Sequence, residues 1–142
     1  MKAQILTSLA SLRDNPTPLQ LVDLPDPTPG SGEVLLRVAA CGVCHTDLDE
    51  IEGRTPPALP AILGHQMVGR VVALGPGVSR FVLGDRVGVA WIFSACGQCP
   101  ACLAGHENLC PQFRATGRDA PGGYAELMAV PEAFAYPIPD VF

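Results

Sequence analysis

The segment GHQMVGRVVALGPGVSRFVLGDRVGVAW, residues 64–91, decides the class of fold. Met67 to Leu74 is apolar and rich in β-branched residues, a composition that fits a pleated, half-buried surface. Gly75-Pro76-Gly77 turns the chain. Asp85 to Trp91 reads as the next strand. The same grammar continues outward. Strands are expected over Lys2 to Leu6 and Leu19 to Leu24, with Asp14-Asn15-Pro16 turning between them. Pro25, Pro27, Pro29 and Gly30 make an irregular loop. Glu33 to Ala40 follows as a strand with Val34, Leu36 and Val38 on one face. Downstream, Tyr124 to Val130 alternates as a strand does, and Phe134 to Ile138 is a short final one.

One short helix is expected early on, Thr46 to Glu52. Thr46 and Asp49 form its capping box and Gly53 stops it. Pro56, Pro57 and Pro60 keep the next stretch extended or looped. Cys96 to Cys110 is too rich in Cys, Gly and Pro for regular structure. The 142 residues include 15 Gly and 15 Pro, which favours short strands joined by turns. Together these readings predict a mainly β, barrel-like domain over residues 1–142, with no internal boundary, repeat or linker.

Hydrophobic residues make up 48% and charged residues 16%, a globular rather than a disordered composition. The formal net charge of −5 leaves no basic face, so no nucleic-acid partner is expected. No apolar run reaches the ~18 residues that span a bilayer, so no membrane partner is expected either. Met1 to Ala10 lacks the apolar stretch and cleavage site of a signal peptide. A cytoplasmic location follows. In that reducing compartment the six cysteines are expected to bind metal rather than to pair as disulfides.

Cys96, Cys99, Cys102 and Cys110 are spaced C-x2-C-x2-C-x7-C. Two-residue gaps let a tight turn aim successive sulfurs at one point, and the gap of seven brings the loop back with a fourth. Tetrahedral zinc takes such a set. An iron–sulfur cluster also uses four cysteines and ranks below zinc. Four free thiols packed as small apolar groups are the plainer alternative. Cys44 and His65, 21 positions apart, are two plausible ligands for a second zinc. Alternatively Cys41 and Cys44 are a redox CxxC pair, and His65 is a hydrogen-bonded structural residue.

The segment Cys41 to Leu48, the pair Gly64-His65, the run Gly84-Asp85-Arg86-Val87, the four-cysteine lobe and Gly122-Gly123-Tyr124-Ala125-Glu126 come in the order found in zinc-dependent alcohol dehydrogenases of the medium-chain type. The chain resembles that family from about Lys2 to Asp140. The resemblance implies a GroES-like, partly open β-barrel with a structural zinc lobe at about residues 94–112. It implies that Cys44 and His65 are ligands of a catalytic zinc and that Cys41 is not. Asp47 would orient His65, as bound imidazoles usually require. Thr46 would take the proton of the alcohol, His45 would sit near the cofactor pyrophosphate, and Trp91 would form a wall of the substrate pocket. The alternative for Trp91 is an ordinary core aromatic.

The implied reaction passes a hydride from a small alcohol to NAD or NADP, giving an aldehyde or ketone. Two positions depart from the family pattern. Gln66 stands where Glu commonly follows the zinc-binding His, and Asp49 stands where many members have the His that ends the proton relay. Family members continue into a Rossmann cofactor domain, and their third catalytic-zinc ligand comes later than Phe142. Gly75 to Arg80 is the nearest local match to a dinucleotide fingerprint, but it lacks the third Gly and suits a turn. This chain alone is therefore expected to be inactive. A homo-oligomer held by an apolar face is also expected. A non-catalytic zinc-binding structural or interaction module is the alternative from another class.

Overall fold

A computed structural model describes residues 1–139 and 141. Asp140, where the resemblance was placed to end, and the terminal Phe142 lie outside the described residues. In chain order the elements are β1 (Lys2–Leu6), β2 (Leu19–Asp23), β3 (Glu33–Cys41), α1 (His45–Ile51), β4 (Ala61–Ile62), β5 (Met67–Leu74), β6 (Arg86–Val89), β7 (Ile92–Ser94), α2 (Pro100–Leu103), β8 (Arg114–Ala115), β9 (Leu127–Pro131) and β10 (Ala135–Pro137). The strands form a five-stranded sheet in the order β10-β6-β5-β3-β9, a three-stranded sheet β2-β1-β4 and a two-stranded ribbon β7-β8. The large sheet is a curled half-barrel, which fits the mainly β, GroES-like architecture expected from the sequence.

Alternation explains the sheet. Along β5, Met67, Gly69 and Val71 are buried while Arg70 and Val72 are exposed, so one face packs inward. Val34 and Leu36 of β3, Val87 and Val89 of β6, and Met128 and Val130 of β9 meet them in the main core. Burying one such side chain contributes roughly 1.5–3 kcal/mol. Gly75 to Arg80 turns between β5 and β6, and Val78 N–H closes back on the Gly75 carbonyl at 3.4 Å. No helix follows it, as the turn reading expected. A smaller core of Leu6, Ile51, Ala61 and Leu63 holds α1 against the three-stranded sheet.

Three readings change. The helix starts one residue earlier than expected, with Cys44 as its N-cap. The expected capping box of Thr46 and Asp49 is replaced by Cys44 and Asp47. Thr46 N–H donates to Cys44 Sγ at 3.3 Å, and Cys44 N–H donates to Asp47 Oδ2 at 2.8 Å. The thiol does the work usually given to a hydroxyl. The cysteine lobe is not wholly irregular, because Pro100 starts the one-turn helix α2 and a 3-10 turn covers Glu107–Leu109. Finally, the strand expected from Tyr124 begins only at Leu127. Tyr124 to Glu126 instead cross between sheets: Tyr124 N–H bonds Leu63, Glu126 N–H bonds Lys2, and the Glu126 carbonyl receives Val38 N–H.

This topology sets up a site. β3 and β5 are antiparallel, with Cys41 paired to Met67. Residues that leave β3 therefore lie beside residues that enter β5, and Gly42 N–H donates to the Gln66 carbonyl at 2.7 Å. Register shifts at Leu35/Leu36 and Val38/Ala40 bend β3 on the way.

Candidate metal centres

The lobe from Cys96 to Cys110 gathers its sulfurs at one point. All four Sγ atoms lie within 4.8 Å of one another. Cys99 and Cys102 are 3.6 Å apart, and Cys96 and Cys102 are 3.9 Å apart. A tetrahedron with metal–sulfur bonds of about 2.3 Å has edges of roughly 3.8 Å, so the set fits one mononuclear ion. Backbone donors support charge on sulfur. Cys99 N–H points to Cys96 Sγ at 3.3 Å, and Gln112 and Cys96 N–H point to Cys110 Sγ at 3.3 and 3.4 Å. The amides of Gln98 and Cys99 lower the Cys96 thiol to about 6, while burial and the neighbouring sulfurs push Cys102 up to about 12.

The second constellation lies where β3, α1 and β5 meet. Cys44 Sγ and His65 Nε2 are 3.1 Å apart. Asp47 is buried on α1 and stands behind the imidazole, with Oδ1 at 3.7 Å from His65 Nδ1. Cys44, Asp47 and His65 together could surround an ion, but Asp47 faces the nitrogen away from the thiol and is also tied to the Cys44 amide. Two candidate ligands, Cys44 and His65, therefore face the opening. In front of them is a cleft of about 300 Å³ lined by Cys44, Thr46, His65, Gln66, Ala90 and Trp91. Trp91 is half exposed, with its ring 5.0 Å from that of Phe113, so it borders the cleft and is not a core aromatic. His45 points elsewhere: its side chain is 79% exposed and sits 3.5 Å from Asp49. Asp49 is held by Arg54 as well.

Sequence reasoning missed two residues. Tyr124 is packed behind His65. A Cβ on Gly64 would come within 2.7 Å of the Tyr124 ring and 2.8 Å of Cys41 Sγ, and Gly64 has a φ of +92°. Only glycine fits there. Burial, and next the Asp47 carboxylate, push the Tyr124 hydroxyl well above the usual phenol range, so it stays a donor. Gly122-Gly123 directly before it was the available signal. Glu50 is the other. With Asp47 and Ile51 it forms the buried i, i+3, i+4 stripe of α1.

Burial, then the charge of Asp47, raise Glu50 to about 7, with Asp49 and Asp119 adding to the shift and Arg118 opposing it. The unfolded chain releases this proton near 4.5, whereas the folded chain holds it until about 7. Glu50's contribution to stability is therefore expected to be complete below pH 4.5, to fall as pH rises through 7, and then to level off, a total of about 2–3 kcal/mol. Glu50→Gln should flatten that slope. Urea unfolding of both proteins at pH 5 and pH 8 reads the difference, and equal slopes would contradict it.

Comparison with known proteins adds the following. The family model "Alcohol dehydrogenase GroES-like domain" matches residues 30–140. An alcohol dehydrogenase of Geobacillus stearothermophilus is 46% identical over 125 residues, covering 87% of this chain and 37% of that protein. Among solved structures, an NAD-dependent alcohol dehydrogenase superposes with a TM-score of 0.91 at 37% identity, over 100% of this chain and 40% of its own. A cobalt- and zinc-bound thermostable alcohol dehydrogenase from Pyrobaculum aerophilum gives 0.86 at 35% identity, over 96% and 41%. The chain spans a little over a third of the length of these relatives.

Proposed function

The chain belongs to the alcohol dehydrogenase GroES-like domain family, and from that premise we propose that it is the zinc-binding, catalytic-side domain of an NAD- or NADP-dependent alcohol dehydrogenase acting on small alcohols and aldehydes. One observation carries the reading. Cys44 Sγ and His65 Nε2 converge to 3.1 Å on the floor of a cleft that also presents Thr46 and Trp91. Residues 1–142 act as one domain, with the lobe at about 94–112 as its structural metal site. Cys96, Cys99, Cys102 and Cys110 hold one zinc, and Cys44 and His65 supply two ligands of another.

A zinc held by Cys44 and His65 would supply Lewis acidity, which would make an alcohol hydroxyl easier to deprotonate. The rest falls to the chain's own residues. Thr46 lies at the cleft and its hydroxyl both accepts and donates, so it takes the substrate proton and passes it outward. Trp91 shields one side of the cleft from water. Asp47 stands behind the imidazole, its Oδ1 3.7 Å from His65 Nδ1, and would accept from Nδ1–H and hold Nε2 toward the ligand position once a metal is bound. Gln66, neutral where Glu is common, leaves the site less negative. His45, exposed at the start of α1, is placed to meet a cofactor phosphate. Asp49, engaged by Arg54, is a poor end for a proton relay.

The protein acts in the cytoplasm and as a homo-oligomer. Exposed Leu103 and Leu109 on the lobe, and Val82 and Leu83 beside β6, support self-association. These 142 residues are inactive on their own. The test is alcohol-dependent NADH formation by the zinc-loaded domain joined to a nicotinamide-binding domain, with Cys44→Ser as control. A separate expectation concerns affinity. Zinc titrated into the chelator-treated chain should fill two unequal sites, four sulfurs first and the Cys44–His65 pair far more weakly. Two equally tight sites would show that a third ligand has been overlooked.

A further inference from the structure

Three buried polar atoms behind His65 have no hydrogen-bond partner: Asp47 Oδ1, His65 Nδ1 and Tyr124 Oη. Native interiors rarely leave even one such atom unpaired, so three together need a reason. Their placement supplies it. Asp47 Oδ2 already accepts from Cys44 N–H at 2.8 Å, so only Oδ1 is free. His65 Nδ1 is 3.7 Å from Oδ1, slightly beyond a hydrogen bond. Tyr124 and Asp47 line one cavity side by side, and the Tyr124 hydroxyl has no partner within hydrogen-bond distance. Its main chain is fixed on both sides, by Tyr124 N–H to Leu63 O at 3.0 Å and Gln4 N–H to Tyr124 O at 2.8 Å. Its ring lies in the space that Gly64, the residue before His65, leaves open. The hydroxyl is thus aimed rather than free to turn away.

We propose that Tyr124 is a positioning residue for the His65 metal ligand: its hydroxyl donates to the Asp47 carboxylate, Asp47 accepts from His65 Nδ1–H, and the relay closes when Nε2 takes a metal. A metal on Nε2 fixes the tautomer, so the proton must sit on Nδ1 and point at Asp47. A carboxylate held only by the helix cap could swing between Cys44 and His65. A second donor from Tyr124 pins it.

This inference rests on the reading of Cys44 and His65 as metal ligands, and cobalt(II) tests both on the full chain. The first equivalent reports the four-sulfur lobe. The absorption of the second reports the Cys44–His65 pair. Tyr124→Phe keeps the ring against Gly64 and removes only the hydroxyl. It should weaken the second cobalt about tenfold, the lower end of what partners of a bound imidazole usually contribute, and leave the first unchanged. In an Asp47→Asn background the same change should do nothing more, because the relay is already cut. Equal loss in both backgrounds, or no loss in either, would overturn the role of Tyr124 while leaving the ligand reading intact. A wild-type chain that takes no second cobalt would overturn both. Zinc addition to the unmutated protein gives a check that needs no variant. The Tyr124 hydroxyl proton should become a slowly exchanging resonance, and a proton still averaged with water would refute the relay.

Discussion

Stripping the metal from the Cys96–Cys110 lobe is expected to unfold the lobe. No residue of α2 or of the Glu107–Leu109 turn is buried, and Leu103 and Leu109 are 76% and 67% exposed. Of the four sulfurs only that of Cys110 sits on a buried residue. The lobe thus lacks the apolar contacts that would offset the entropy of ordering its backbone, about 1–2 kcal/mol per residue. A ligand shared by the four sulfurs would supply what packing does not. Structural zinc in small peptides has apparent affinities of about 10–16 kcal/mol, enough to order such a loop. Cys99→Ser should have nearly the full effect of metal removal, since one missing thiolate breaks the tetrahedron and leaves three crowded sulfurs. Metal analysis should fall by one ion per chain. Amide exchange over Gln98 to Gln112 should rise toward the unfolded rate, while β3 and β5 keep their protection. Lobe amides that stay protected after complete metal removal would show that packing, not metal, holds the fold there.

How far the sequence foretold this molecule depends on where the deciding partner lies. β5 was legible to the residue, because an apolar, β-branched run over Met67–Leu74 closed by Gly75-Pro76-Gly77 needs no distant information. β4 and β8, two residues each, were not. Ala61 is a strand residue because Leu6 lies opposite, and Ala115 because Ile92 does. The helix start was misread for a chemical reason. Capping rules are written for oxygen, and here Cys44 supplies sulfur. The meeting of Cys44 and His65 across 21 positions comes from the Cys41–Met67 pairing, which motif order suggested and periodicity could not. Glu50 gave no sign at all. An acidic residue on a short helix reads as solvated, and only the packing around α1 makes it buried. Tyr124 looked like the start of a strand because its neighbours alternate, whereas its backbone bonds Leu63 and Gln4 and the crossing to the large sheet comes at Glu126.

The chain alone is expected to give no alcohol-dependent NADH, and the same chain joined to a nicotinamide-binding domain is expected to turn over. Hydride transfer needs the nicotinamide carbon held in near contact with the substrate carbon, and correct placement is worth effective molarities of about 10⁵–10⁸ M. Binding a dinucleotide calls for a strand, a glycine-rich turn and a helix whose N-terminus meets the pyrophosphate. Among the described residues the longest helix is α1, seven residues long, and the turn at Gly75 leads into β6 without one. His45 alone offers a phosphate contact, which cannot orient a dinucleotide. The ligand count points the same way, because the proposed pair Cys44 and His65, 3.1 Å apart, would supply only two of the three protein ligands that catalytic zinc takes. Either shortfall should remove most of the rate. In the joined protein, Cys44→Ser should lower turnover about 10³-fold or more, since the ion's charge stabilisation is worth several kcal/mol and each 1.36 kcal/mol is tenfold. Thr46→Ala should lower the rate less and shift its pH profile, because the metal site survives and only the proton's exit is lost. The measurement is absorbance at the NADH band with primary and secondary alcohols on zinc-loaded protein. Turnover by the chain alone that Cys44→Ser abolishes would overturn the proposal. A joined protein that binds both zincs yet stays inactive would instead mark the chain as a zinc-binding structural or interaction module.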